Sequence, residues 1–157
     1  MPAIRAEQIN PFLMSAKQVM QQVCQVDIKF GKIEKTDFKL DGNPMLIMLG
    51  ITGELCGQAC FVMSIELAMK IASRMMMGMP VNEFDDMARS AISELGNMVM
   101  GNAATILSNN NVLIDITPPT IITGTTSIQS PDSTMFKVPL LYEDYSVMLC
   151  FMFKNIG

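Results

Sequence analysis

Apolar residues recur at Phe84, Ala88, Ala91, Ile92, Leu95, Met98, Val99 and Ile106. Steps of three and four are helical spacing, not strand spacing. At about 100° per residue the set forms one stripe centred near Leu95, so this stretch predicts a long helix. Glu94 and Asn97 stand three apart and are neighbours on its surface. They lie beside and behind the stripe, with Ser90, Gly101 and Ser108 roughly in line. An acid and a carboxamide among small residues leave room for another molecule's pocket to close over them. Glu94 and Asn97 are therefore the candidate site residues. Asn102 projects near the middle of the stripe, where a buried, hydrogen-bonded structural role is expected instead.

The flanking chain alternates between helix and strand signals. Asn10 and Pro11 predict an N-cap and first position for a helix that buries Phe12, Ala16, Val19, Met20 and Val23. One strand is expected between Cys24 and Leu40, followed by a turn at Asp41-Gly42-Asn43-Pro44. The apolar run Met45 to Gly50 suits a central strand. A turn at Ile51-Thr52-Gly53 would return the chain along Glu54 to Met63 as a hairpin. Ser64 caps a second helix, which stops at Gly78-Met79-Pro80. Asn82 to Asp86 opens the long helix, and Asn109-Asn110-Asn111 closes it. Val112 to Ile116 and Thr120 to Gly124 read as short strands around Thr117-Pro118-Pro119, with a polar loop from Thr125 to Ser133. Met135 to Tyr142 and Tyr145 to Phe153 close the chain as a hairpin across Glu143-Asp144. The sum is one α+β domain over residues 1–157, with a largely antiparallel sheet covered by long helices.

Composition removes several function classes. Half of the 157 residues are hydrophobic and 17% are charged, which suits a sizeable core. A net charge of -4 argues against nucleic acid as a partner. No apolar run approaches a membrane span and the start lacks signal-peptide features, so a cytoplasmic location without membrane insertion is expected. The chain has no histidine, which removes Ser-His and Cys-His pairs and the common zinc sites. Cys24, Cys56, Cys60 and Cys150 are expected to be buried reduced thiols, with Cys56 and Cys60 on one strand face. Met75-Met76-Met77-Gly78-Met79 has the softness of a copper(I) cluster, but gap-filling or an adaptable surface explains it more simply. The acids at 83, 85 and 86 need no metal at a helix start. Gly50, Gly53 and Gly57 lack the order and the lysine of a phosphate loop.

The segment Ala91-Ile92-Ser93-Glu94-Leu95-Gly96-Asn97-Met98, followed by Gly101, resembles the E-x-x-N motif of the CheC/CheX chemotaxis phosphatases. Gly50-Ile51-Thr52-Gly53 with Gly57, Met76-Met77-Gly78-Met79 and Asp115-Ile116-Thr117-Pro118-Pro119-Thr120 resemble the CheX branch in order and spacing. The resemblance spans roughly Met45 to Gly124 and implies a CheC-like fold. It also implies a phosphatase acting on the aspartyl phosphate of a CheY-type response regulator. Glu94 would dock to the receiver's lysine and Asn97 would position the attacking water. No cofactor of the chain's own is implied; Mg2+ is expected in the partner receiver domain. A homodimer joined through sheet edges is a further implication, the apolar closing strands leaving an edge to cover. Relatives with two centres carry a second E-x-x-N on the first helix. Asn10 to Val23 has no glutamate, so one centre per chain is expected. The alternative is a non-catalytic receiver-binding or assembly module of a chemotaxis or motor complex.

Overall fold

A computed structural model describes residues 6–35, 38–39, 44–124, 127–128 and 133–154. Helix α1 (Ala6–Cys24) is followed by the short strands β1 (Lys29–Phe30), β2 (Glu34–Lys35) and β3 (Phe38–Lys39). Strands β4 (Pro44–Gly53) and β5 (Gly57–Ser64) lead into helices α2 (Ile65–Met75) and α3 (Asp86–Asn109). Strands β6 (Ile114–Ile116), β7 (Thr120–Thr123), β8 (Ser127–Ile128), β9 (Ser133–Tyr142) and β10 (Tyr145–Lys154) complete the order. The main sheet runs β1-β9-β10-β5-β4-β6, with β2 also on β9 and β7 also on β4. Its pairings are antiparallel, so the fold is α+β as expected. None of the described helices is long and apolar enough to cross a membrane.

Alternation along the strands explains the layers. Met45, Ile47, Leu49 and Ile51 of β4 face the helices and join one core with Phe12 of α1, Ile71 of α2 and Ile92 of α3. Leu46 faces the other way, into a smaller cluster with Cys60, Val62, Met135, Cys150 and Met152. The unbroken apolar run of β4 therefore reflects a strand buried on both faces. Phe12 anchors α1 to β10, its ring centroid 5.2 Å from that of Phe151.

Several boundaries differ from the sequence expectation. Helix α1 begins at Ala6, not beside Asn10, and Pro11 lies inside it. The reason is Ile9, which is buried in line with Phe12, Leu13 and Ala16 and draws the preceding turn into the helix. The expected turn at Ile51-Thr52-Gly53 is strand: these residues pair with Ile116, Asp115 and Ile114, and the chain reverses at residues 54–56. Cys56 falls in that reversal, so it does not share a strand with Cys60. Instead Cys60 sits directly opposite Cys150 on the neighbouring strand. Among the described residues, the region after α1 holds three two-residue strands rather than one full strand, and the polar segment after Gly124 contains β8, paired with β3. The turn expected at 41–44 lies outside the described residues except for Pro44.

The closing strands also behave differently from expectation. They form the hairpin, with Tyr142 opposite Tyr145, and β10 is interior, flanked by β9 and β5. The outer side of β9 is paired with strand, among the described residues, at Phe136 and Lys137 and at Leu140 and Leu141, and is otherwise without a strand partner. The edges of the sheet are therefore the short β1 and β2 with the rest of β9 on one side, and β6 and β7 on the other.

Candidate functional site

Helix α3 is fixed at both ends by its own sequence. Asp85 is its N-cap, accepting a hydrogen bond from the Ala88 N–H at 2.9 Å; the acidic start thus serves the helix amides. At the far end Asn111 takes a left-handed conformation, φ 65°. There the Val112 N–H donates to the Leu107 carbonyl at 2.8 Å and the Asn111 N–H to the Ser108 carbonyl at 3.0 Å, a double closure that satisfies otherwise free carbonyls.

The buried face is Ala88, Ile92, Leu95, Gly96, Val99, Met100, Ala103 and Leu107. Phe84, Ala91, Met98 and Ile106, placed in the stripe by spacing, flank this face and are only partly buried. The centre near Leu95 is as expected. Opposite it runs an exposed line, Ser90, Glu94, Asn97, Gly101, Thr105 and Ser108. Met87, 59% exposed, begins this line one turn earlier. Met87 extends the expected line and Thr105 fills it between Gly101 and Ser108; stepping by three and four from Glu94 reaches both.

Three contacts fix the rotation of α3 at the turn that carries Asn97. Gly96 lies so close to β4 that an added Cβ would stand 3.0 Å from Ile47 Cγ2. The buried Ser15 hydroxyl of α1 donates to the Val99 carbonyl. Asn102 Nδ2 donates to Gln18 Oε1 of α1 at 2.9 Å. Asn102 is therefore structural as expected, but half-exposed between the two helices rather than buried. Held from the sheet side and the α1 side, the helix directs Glu94 and Asn97 outward.

Among the described residues neither Glu94 nor Asn97 has a hydrogen bond or ion pair within the chain. Two clefts lie elsewhere. One is an apolar gap in the core beneath Leu95 and Val99. The other, about 310 Å³, lies at the α2–α3 connection between Met76, Met79, Val81 and Met87. Neither includes Glu94 or Asn97, which are exposed on the outer face of α3. Such an arrangement offers one acceptor group and one donor–acceptor group to a pocket that another molecule brings.

The remaining reactive groups are placed away from chemistry. Burial pushes the Cys24 thiol up to about 11 and the Cys150 thiol up to about 12, and burial together with the neighbouring Cys150 raises Cys60 further still. Thiols that do not ionise near neutral pH are poor nucleophiles. Cys56 is half-buried and its Sγ donates to the Gly53 carbonyl at 3.4 Å, which corrects the expectation of burial for that one residue. Met75 and Met76 pack against the core, while Met77 and Met79 are exposed, in keeping with gap-filling and surface roles.

Residues 45–140, a stretch containing all of α2 and α3, match the family model of chemotaxis phosphatase CheX. The CheY-P phosphatase CheX of Thermotoga maritima is 35% identical over 116 residues, covering 74% of this chain and 75% of that protein. Among solved structures, the CheX-CheY-BeF3-Mg+2 complex from Borrelia burgdorferi matches with TM-score 0.81 and 28% identity, over 96% of this chain and 100% of that one. A CheC-like superfamily protein from Shewanella sp. PV-4 shares the fold, with TM-score 0.86 at 22% identity over 97% of this chain and 100% of that one.

Proposed function

This chain belongs to the chemotaxis phosphatase CheX family, and from that membership we propose that it hydrolyses the aspartyl phosphate of a CheY-type response regulator. The substrate class follows from the relatives, one named as a CheY-P phosphatase and another solved bound to CheY. The observation that carries the residue roles is the outer face of α3: Glu94 and Asn97 are exposed one turn apart, without partners among the described residues, on a helix immobilised beneath them.

In this reading the Glu94 carboxylate meets the receiver's lysine in a charge-assisted hydrogen bond, which sets the register of the complex. The Asn97 carboxamide then enters the receiver's acidic pocket and orients a water in line with phosphorus. The water oxygen forms the new P–O bond, the bond to the aspartyl oxygen breaks, and the carboxylate leaves. The water proton passes to the released phosphate. A carboxamide suits this position because it both donates and accepts without ionising, whereas a carboxylate would be repelled by the phosphoryl group. Magnesium, where bound in the receiver, neutralises charge on the phosphoryl oxygens, so this chain supplies position rather than a nucleophile or a metal. The same reading places the chain in the cytoplasm beside its receiver.

The test is phosphate loss from phosphorylated CheY-type receivers, with binding of the BeF3-activated receiver measured alongside. Asn97→Ala should lower turnover by about a hundredfold or more and leave binding close to wild type. Glu94→Ala should abolish turnover largely through binding, weakened by roughly ten- to a hundredfold through loss of a charged hydrogen bond. Equal loss of binding and turnover in Asn97→Ala would remove its water-positioning role. Binding by the wild type without faster phosphate loss from any receiver would make the chain a non-catalytic receiver-binding module.

A further inference from the structure

Two glycines lie inside α3, and different demands act on them. Gly96 faces β4 with Ile47 against it, so packing within the chain accounts for its small size. Gly101 is exposed, and a Cβ built there meets nothing within 4 Å. Its φ is not positive, so any L-residue would fit the backbone. Glycine is nevertheless the poorest choice for a helix interior apart from proline, because it loses the most backbone freedom on folding. Among the described residues nothing asks for a glycine at position 101.

The direction of a helical side chain shows what is gained outside. Cα–Cβ bonds tilt toward the helix N-terminus, so a side chain at 101 would lie over the preceding turn, beside Asn97. Thr105, the next residue along the exposed line, turns its hydroxyl back to the Gly101 carbonyl at 3.2 Å and leaves that space open. The helix surface is therefore low on the C-terminal side of the Asn97 carboxamide.

We infer that Gly101 is a positioning residue: its missing side chain lets the main chain at the rim of the receiver's phosphorylated pocket descend onto α3 next to Asn97. Only then does the carboxamide reach the phosphoryl group. The inference rests on the role of Asn97 proposed above and adds a specificity element, since a receiver with a taller rim at this point would be excluded.

The experiment compares thermal unfolding and receiver-phosphate turnover for wild type, Gly101→Ala and Gly101→Leu. Alanine is the better helix former and meets no obstacle, so Gly101→Ala should raise the unfolding temperature by about 1–4 °C. The same variant should lose about tenfold in turnover at saturating receiver, and Gly101→Leu on the order of a hundredfold, because the carboxamide is held off by an ångström or more. A gain in stability joined to a loss of turnover is the expected pairing, which a purely structural glycine does not produce. Wild-type turnover in both variants overturns the inference while leaving the phosphatase reading intact. A lower unfolding temperature in Gly101→Ala overturns it too, by showing an internal need for glycine. Failure of the wild type itself to accelerate phosphate loss removes the phosphatase reading, and the inference with it.

Discussion

At the scale of single residues, Met77 stands out. It is 97% exposed and has a left-handed backbone, φ 59°. This conformation closes α2, where the Gly78 N–H donates to the Ser73 carbonyl at 2.8 Å and the Met77 N–H to the Arg74 carbonyl at 3.2 Å. Spacing placed the helix stop at Gly78. Gly78 is left-handed as a helix stop requires, φ 86°, but the left-handed stretch starts one residue earlier, so strain also sits on a methionine. Left-handed geometry costs a side-chain-bearing residue roughly 1–2 kcal/mol, and glycine's greater freedom in the unfolded chain offsets about half of that. Met77→Gly should therefore raise stability by up to about 1 kcal/mol, a shift of roughly 2–4 °C in unfolding temperature for a chain of this size. An unchanged or lower temperature in a scanning calorimeter would mean that Met77 makes a stabilising contact that outweighs its strain.

At the scale of elements, the Thr-Pro-Pro segment has a use that local reading missed. It interrupts one edge strand that runs the length of β4. Ile114–Ile116 pairs with Ile51–Gly53, and Thr120–Thr123 pairs with Met45–Met48. Between them Thr117 donates its N–H to the Gly50 carbonyl at 3.0 Å and accepts the Gly50 N–H on Oγ1 at 2.7 Å. The hydroxyl thus stands in for the strand carbonyl that the two prolines displace. Gly50 belongs to the same device, since an added Cβ would stand 2.9 Å from that hydroxyl. Thr117→Val keeps the shape and removes the acceptor, so it should destabilise by about 1 kcal/mol and speed exchange of the Gly50 amide hydrogen. Protection of that amide equal to wild type would show that the side-chain bond carries no weight.

At the scale of the whole molecule, the sheet has two unlike edges. Strands β1 and β2 are two residues each, and short edges resist pairing with another chain. The β6–β7 edge is longer and broken only by the prolines, which makes it the side on which a second copy would add. The homodimer implied by family resemblance is expected there. Sedimentation velocity at micromolar concentration should show a dimer, and a monomer throughout the concentration range would leave that edge without a partner of its own kind.

Sequence alone determined what depends on neighbours within a turn. The 3.6-residue period fixed α3, the buried side centred near Leu95, and the exposure of Glu94 and Asn97 on the other side. Ser64, accepting from the Leu67 N–H at 3.0 Å, and the aspartate cap were legible because a cap acts within three residues. Only tertiary structure decided which strands meet. Cys60 opposite Cys150, β6 and β7 sharing β4, and the pairing of β1 and β2 with β9 all join residues distant in the chain, where no local period records the partner. It also moved the start of α1, because burial of Ile9 outweighs the local preference for a cap at Asn10. The two candidate site residues could be named from one helix, but their outward aim depends on Ile47, Ser15 and Gln18 from two other elements. That aim comes from packing, which fixes the rotation of a helix that its own sequence can only divide into faces.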